Sequence, residues 1–72
     1  MLTYSMDRRG TLTRYAYLYQ CIKEDILCGR IEAGERLPSK RALAEHLHVS
    51  VATVETAYAQ LTAEGYLDPR EK

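Results

Sequence analysis

Two adjacent cations, Lys40 and Arg41, follow Ser39 at the point where a helical pattern begins. The helix macrodipole disfavours cations in the first turn by roughly 0.3 to 1 kcal/mol each. A local rule that is broken twice side by side suggests a function for these side chains. Phosphate is the partner that they fit, because basic side chains near helix ends position a nucleic-acid backbone. The alternative is two solvated surface cations.

A second serine, Ser50, precedes the next helical pattern. A serine hydroxyl accepts a hydrogen bond from a backbone N–H in the first helical turn, so Ser39 and Ser50 are both predicted N-caps. His48 lies between the two patterns, at a sharp turn where histidine tolerates a positive φ better than most residues. A short helix, a tight turn and a longer helix are typical of a helix-turn-helix, here at about residues 40–59. The same pattern also fits a structural or protein-binding module.

Residues that could carry catalysis or bind a metal do not cluster. His46 and His48 are the only histidines, and residues two positions apart do not share a helix face. Cys21 and Cys28 lie seven positions apart in a predicted helix, which separates them by about 10 Å. That distance is too long for a disulfide or for shared zinc ligation. We therefore expect reduced thiols, no metal site and no enzymatic activity.

The composition is that of one small globular domain. The chain has 72 residues, of which 46% are hydrophobic and 28% charged, and below roughly 80 residues a chain supports one core. Ten basic and ten acidic residues give a net charge of zero, so any nucleic-acid partner must be recognised through local charge. With no long apolar segment and no signal-peptide pattern, we expect a cytoplasmic protein.

The periodicity predicts three helices. Residues 1–10 lack a sustained pattern and are interpreted as a flexible N-terminal arm, and helix one is predicted for about residues 12–28. Gly29 can turn left-handed after this helix, and Gly34 indicates a second turn. The apolar stripe of helix one consists of Tyr15, Leu18, Tyr19, Ile22 and Ile26.

Helices two and three follow the two serines. Helix two is predicted for residues 40–47, and helix three starts after Ser50 and ends near Gly65. Tyr66 and Leu67 are interpreted as the start of a strand, which a turn at Asp68 and Pro69 closes. The residues predicted to face the core are Leu43, Ala44 and Leu47 in helix two and Val54, Ala57, Tyr58 and Leu61 in helix three.

The longest motif in the chain is RLPSKRALAEHLHVSVATVETAYAQLTAEGYL, preceded by IKEDILCGRIEAGE. It resembles the N-terminal winged-helix domain of the GntR family of bacterial transcription regulators, and its AY and AEGYL elements are similar to the MocR-type subgroup. The resemblance covers about residues 15–67 and implies a mostly α, three-helix winged helix-turn-helix domain at residues 11–72. It also implies sequence-specific binding of double-stranded DNA as a homodimer, with helix three in the major groove.

The resemblance implies roles for the serine-led segments. Ser39 and Arg41 would contact the DNA backbone or base edges, with Lys40 on phosphates, while Ser50 and Thr53 would stand at the DNA end of helix three. Arg8, Arg9 and Arg14 would add charge nearby. The candidate DNA-binding residues are Ser39, Lys40, Arg41, Ser50, Val51, Ala52, Thr53, Glu55 and Thr56.

Two of these positions depart from the family. Val51 stands where the family often has arginine, the residue that most commonly reads guanine. Val51 and Ala52 can instead touch a thymine methyl, and Thr53 can bond a base or phosphate, so we expect a preference for A·T pairs. Glu55 is acidic where the family is sometimes basic. Its carboxylate either reads a cytosine amino group or is held away from the phosphates.

Three expectations concern the chain as a whole. The family's wing is a two-stranded hairpin, and this chain has at most its first strand, so we expect a short or truncated wing. MocR-type relatives carry a domain that resembles a pyridoxal-phosphate aminotransferase and other subgroups carry effector domains, whereas these residues are expected to bind no cofactor. The alternative function is a winged-helix protein-interaction module without DNA binding, which the zero net charge, Val51 and Glu55 favour.

Overall fold

Three α-helices dominate the computed structural model, which describes residues 4–32 and 36–67. These helices are α1 (Arg14–Leu27), α2 (Lys40–Leu47) and α3 (Val51–Ala63), and a 3-10 helix at Met6–Arg8 precedes them. Helix α3 packs against both α1 and α2, so it is the central element. The mostly α, three-helix fold is confirmed. No helix in the described ranges is long and apolar enough to cross a membrane.

The two predicted serine caps are confirmed. Ser39 Oγ accepts a hydrogen bond from the Ala42 N–H at 3.1 Å, and Ser50 Oγ accepts one from the Thr53 N–H at 3.1 Å. Both serines have extended backbone angles, as an N-cap residue should. Each cap stabilises its helix by about 1 kcal/mol and fixes the residue at which the helix starts.

Helix α1 begins later than predicted because it has its own cap. Thr13 Oγ1 accepts a hydrogen bond from the Ala16 N–H at 3.3 Å, which makes Arg14 the first helical residue rather than Leu12. After the helix, Gly29 has a φ of 90°, as the predicted left-handed turn requires.

The turn between α2 and α3 is built around His48, whose φ of 60° confirms the predicted positive value. The His48 N–H donates to the carbonyl of Glu45 at 3.4 Å, and the Val49 N–H donates to the carbonyl of Ala44 at 3.0 Å. These two bonds form a Schellman motif, in which carbonyls near the end of α2 accept hydrogen bonds from the N–H groups that follow the helix. The cap of α3, Ser50, can therefore follow two residues after His48, and the helix itself starts at Val51.

The core lies where α3 meets the other two helices. Leu18, Ile22, Leu43, Val54, Ala57 and Leu61 are each 0% exposed. Ile31, in the loop after α1, is also buried, although the sequence did not predict it as a core residue. The prediction that Tyr15 packs in the core was wrong. Tyr15 is 39% exposed, because it lines an open cleft beside the start of α3.

The prediction that Tyr66 and Leu67 start a strand was also wrong. Gly65 has a φ of 89°, and the Tyr66 N–H turns back to donate to the carbonyl of Leu61 at 2.9 Å. The Leu67 N–H lies 3.4 Å from the same oxygen. These amides close the end of α3, so they do not form a strand ladder. The predicted turns at Gly34 and at Asp68 and Pro69 lie outside the described residues.

The described part of the predicted N-terminal arm is docked on the domain. Tyr4 and Met6 pack against the core, and the Tyr4 hydroxyl donates a hydrogen bond of 2.6 Å to Asp25 Oδ2 in α1. Arg30 pairs with the other oxygen of Asp25 at 3.0 Å. The flexibility of residues 1–10 remains a prediction.

Candidate nucleic-acid interface

The start of α3 is exposed in the part of the chain that the structure describes. Val51 is 44% exposed, and Ser50, Ala52, Glu55 and Thr56 are exposed as well. The buried residues of this helix, such as Val54, lie on the opposite side. A helix that lies in the major groove must present its leading end to solvent in this way.

The start of α2 lies beside the start of α3. Ser39, Lys40 and Arg41 are exposed, and Lys40 Nζ lies 3.9 Å from Glu55 Oε2. Both side chains of this ion pair are exposed, at 48% for Lys40 and 61% for Glu55, so the pair stabilises the fold by less than about 1 kcal/mol. Its greater effect is on local charge, because Glu55 neutralises one of the two cations.

Arg41 differs from its neighbour. Its side chain is exposed and forms no hydrogen bond or ion pair with the part of the chain that the structure describes. A guanidinium offers five N–H donors in a planar fork that matches phosphate oxygens. Arg41 is thus the unpaired cation at the start of α2.

Tyr58 joins α3 to the segment that leads into α2. Its hydroxyl donates a hydrogen bond of 2.9 Å to the carbonyl of Pro38, immediately before the cap Ser39. This bond helps to fix where α2 starts relative to α3. The predicted packing role of Tyr58 is confirmed, since it is partly buried against the core.

Ser50 and Thr53 form a hydroxyl pair at the tip of α3. Their side-chain oxygens are 2.9 Å apart, and either one can be the donor. Because two hydroxyls share one hydrogen bond, one hydroxyl hydrogen remains for an outside acceptor. Thr53 is half-buried and Ser50 exposed, so the pair can bond a base or a phosphate at the surface.

An open cleft of about 520 Å³ lies next to this tip. Arg9, Arg14 and Tyr15 are on its N-terminal side, and Ala52, Thr53 and Thr56 of α3 also line it. The sequence indicated that Arg8, Arg9 and Arg14 add charge near the DNA. The cleft includes Arg9 and Arg14 but not Arg8, and it adds Tyr15, which sequence analysis had assigned to the core.

The other end of α3 carries a different cluster. The Tyr19 hydroxyl donates a hydrogen bond to the carboxylate of Glu64, and Lys23 Nζ lies 5.6 Å from the centroid of the Tyr19 ring and 5.8 Å from that of Tyr66. The hydrogen bonds from Tyr19 and Gln60 lower the pKa of Glu64. These contacts join α1 to the end of α3.

The thiols and imidazoles do not form a reactive site. Within residues 4–32 and 36–67, no group of three or more histidine, cysteine or acidic side chains could hold a metal ion. Cys21 and Cys28 are free. Burial raises the pKa of the Cys21 thiol, which makes its thiolate scarcer at neutral pH. His46 and His48 are both exposed.

Known proteins match almost the whole chain. Residues 14–72 match the model of the bacterial regulatory proteins of the gntR family. An uncharacterized HTH-type transcriptional regulator of Bacillus subtilis, YhdI, is 46% identical over 71 residues, which is 99% of this chain and 15% of the relative. The probable rhizopine catabolism regulatory protein MocR of Rhizobium meliloti is 43% identical over 65 residues, which is 90% of this chain and 13% of MocR.

A third relative has a higher identity over a shorter range. The HTH-type transcriptional regulator TauR of Rhodobacter capsulatus is 54% identical over 50 residues, which is 69% of this chain and 10% of TauR. The chain therefore spans between 10% and 15% of the length of these three relatives.

Proposed function

The chain belongs to the GntR family of bacterial regulatory proteins, and we propose that it binds double-stranded DNA in a sequence-specific manner with the start of α3 in the major groove. The observation that carries this proposal is the exposed tip of α3 beside an unpaired Arg41. The tip supplies groups that can touch base edges, and Arg41 supplies a cation for the sugar-phosphate backbone.

We assign the contacts by chemistry. Ser39 and Arg41 bind phosphate, and Lys40 joins them when it leaves Glu55. Val51 and Ala52 present methyl groups that suit thymine, while Ser50, Thr53 and Thr56 present hydroxyls for bases or phosphates. In the absence of DNA, Glu55 pairs with Lys40. A preference for A·T pairs under the tip of α3 follows from this set.

The assembly follows from the size of the domain. A single module covers roughly 600 to 1,000 Å² of DNA, so tight binding requires two copies on half-sites about 34 Å apart. We propose that the full-length protein is a cytoplasmic homodimer and that this domain contributes DNA binding rather than catalysis.

The test is binding of the chain to a pool of duplexes with randomised half-sites, followed by titration of the selected duplex between about 50 and 200 mM salt. We expect the affinity to fall steeply with salt, because phosphate contacts release condensed counterions. Arg41→Gln should weaken binding to all duplexes by a similar factor and reduce the salt slope by about one. Arg30→Gln, which removes an exposed guanidinium outside the interface, is the matched control.

The alternative function is a protein-interaction module without DNA binding. The Lys40–Glu55 pair favours it, because this pair removes net positive charge from the surface that would face DNA. Absence of duplex binding by the dimerised protein, or an affinity that does not change with salt, would support this alternative and refute the proposal.

A further inference from the structure

The cleft beside the tip of α3 is positively charged in a chain whose net charge is zero. Among the described residues, its lining includes Arg9 and Arg14 and no acidic residue. Such a local excess of positive charge attracts an anion, although the whole chain carries no net charge.

The two arginines are held differently. Arg9 Nη1 donates a hydrogen bond of 3.1 Å to the carbonyl of Met6, which fixes the side chain against the 3-10 helix. Arg14 is exposed and forms no hydrogen bond or ion pair with the described residues. None of the described residues therefore occupies the donors of Arg14, and Tyr15 lines the same cleft.

The opposite wall of the cleft belongs to the candidate interface. Ala52, Thr53 and Thr56 line the cleft, whereas Glu55 faces Lys40 of α2. Consecutive helical residues are about 100° apart, so Thr56 and Glu55 lie on different sides of the outward face of α3. The basic cleft is thus on one side of that face and the start of α2 on the other.

A helix with its side chains is about 10 to 12 Å wide and the major groove is about 12 Å wide, so a bound helix has a DNA strand on each side. We propose that the cleft binds a backbone phosphodiester of the DNA strand opposite to the strand that Arg41 contacts, with Arg14 as the main ligand and Arg9 and Tyr15 beside it. This inference rests on the proposed function, because α3 must lie in the groove for the strand to reach the cleft.

The test compares an arginine of the cleft with an arginine outside it. Arg14→Gln should weaken duplex binding and reduce the slope of log affinity against log salt by about one. Arg30→Gln is the control, because Arg30 is exposed and does not line the cleft; its slope should equal that of the unchanged protein. Circular dichroism and the unfolding midpoint of each variant establish that it is folded. An unchanged slope for Arg14→Gln would overturn the inference.

Arg41→Gln, measured alongside, separates this inference from the proposed function. If Arg41→Gln reduces the slope and Arg14→Gln does not, DNA binding stands and the cleft proposal falls. If the unchanged protein shows no salt-dependent duplex binding, both proposals fall.

A nuclear magnetic resonance titration separates a DNA phosphate from a free anion. The amide signals of residues 11–15 should shift with duplex and stay unshifted with inorganic phosphate at equal ionic strength. Equal shifts with inorganic phosphate alone would identify a free-anion site and overturn the assignment to the DNA backbone.

Discussion

Lys40 Nζ lies 3.9 Å from Glu55 Oε2, so a cation at the start of α2 has a carboxylate of α3 as its neighbour. The two residues belong to the two helices of the helix-turn-helix, at the surface proposed to meet DNA. Approach of a phosphate must compete with Glu55 for the ammonium group and is also repelled by the carboxylate itself. Glu55 thereby reduces the attraction of this surface for any polyanion.

Glu55→Gln should increase affinity for duplex DNA and make it more dependent on salt. The substitution removes one negative charge and frees Lys40 for a phosphate, so we expect the salt slope to increase by about one. Titrations at several salt concentrations measure this. Glu24→Gln, at an exposed position of α1, changes the net charge equally and should leave the slope unchanged. An equal change in both variants would show that only net charge matters.

Val51→Arg should shift the preferred sequence towards guanine. Val51 is 44% exposed at the first position of α3, and an arginine there can bond guanine O6 and N7, which is worth about 1 to 3 kcal/mol against the wrong base. Selection from randomised half-sites measures the change. The unchanged protein should select thymine at the same position, and selection of guanine by both proteins would refute the assignment of Val51.

Leu61→Ala should lower the free energy of unfolding by about 2 to 5 kcal/mol, because Leu61 is 0% exposed where α3 meets the core. That loss is a large fraction of the stability of a small domain. Denaturant titration measures it. Val51→Ala, at an exposed position, should cost far less, and equal losses in both variants would contradict the assigned core.

Tyr4→Phe should lower the free energy of unfolding at neutral pH. It should also reduce the loss of stability that occurs as the pH becomes alkaline. Burial, and then the hydrogen bond to Asp25, raise the Tyr4 pKa well above the ordinary 10.0. Because the folded state holds this proton more tightly than the unfolded chain, the stabilisation is present below pH 10 and lost as pH rises above it. We expect a loss of about 0.5 to 1.5 kcal/mol at pH 7.

Denaturant midpoints between neutral pH and alkaline pH measure the Tyr4 effect. Tyr17 and Tyr19 also have raised pKa values, owing mainly to hydrogen bonds with Cys21 and Glu64, so Tyr4→Phe should reduce the alkaline loss without abolishing it. An alkaline loss as steep as in the unchanged protein would show that the hydroxyl of Tyr4 is not protected by the fold.

Local signals in the sequence were enough for the helix-turn-helix. Ser39 and Ser50 cap their helices through a hydroxyl and an amide three residues away, and the turn at His48 also uses nearby groups. Interactions of this range can be inferred from residue type and spacing. The error at Tyr66 also has a local cause. After Gly65, the Tyr66 N–H donates to the carbonyl of Leu61 at the end of α3, so Tyr66 does not start a strand.

The cleft could not be predicted in this way. Arg14 and Tyr15 meet Thr53 and Thr56 only because α1 packs along α3, and periodicity does not specify how two helices align. Periodicity also placed Tyr15 on the apolar stripe of α1, although it lies beyond the enclosed part of the core. Only the packed structure shows that Tyr15 lines the cleft next to the surface proposed to bind DNA.

The backbone of the turn at His48 restricts the movement of α2 relative to α3. Its amides are bonded to the preceding helix, and the Ser50 cap begins the following helix at once. The two helices should therefore bind a duplex as one rigid unit that is ordered before contact. If the protein binds operators with different distances between half-sites, the adjustment must then come from the connection between two copies of the domain, because the helix pair itself is rigid.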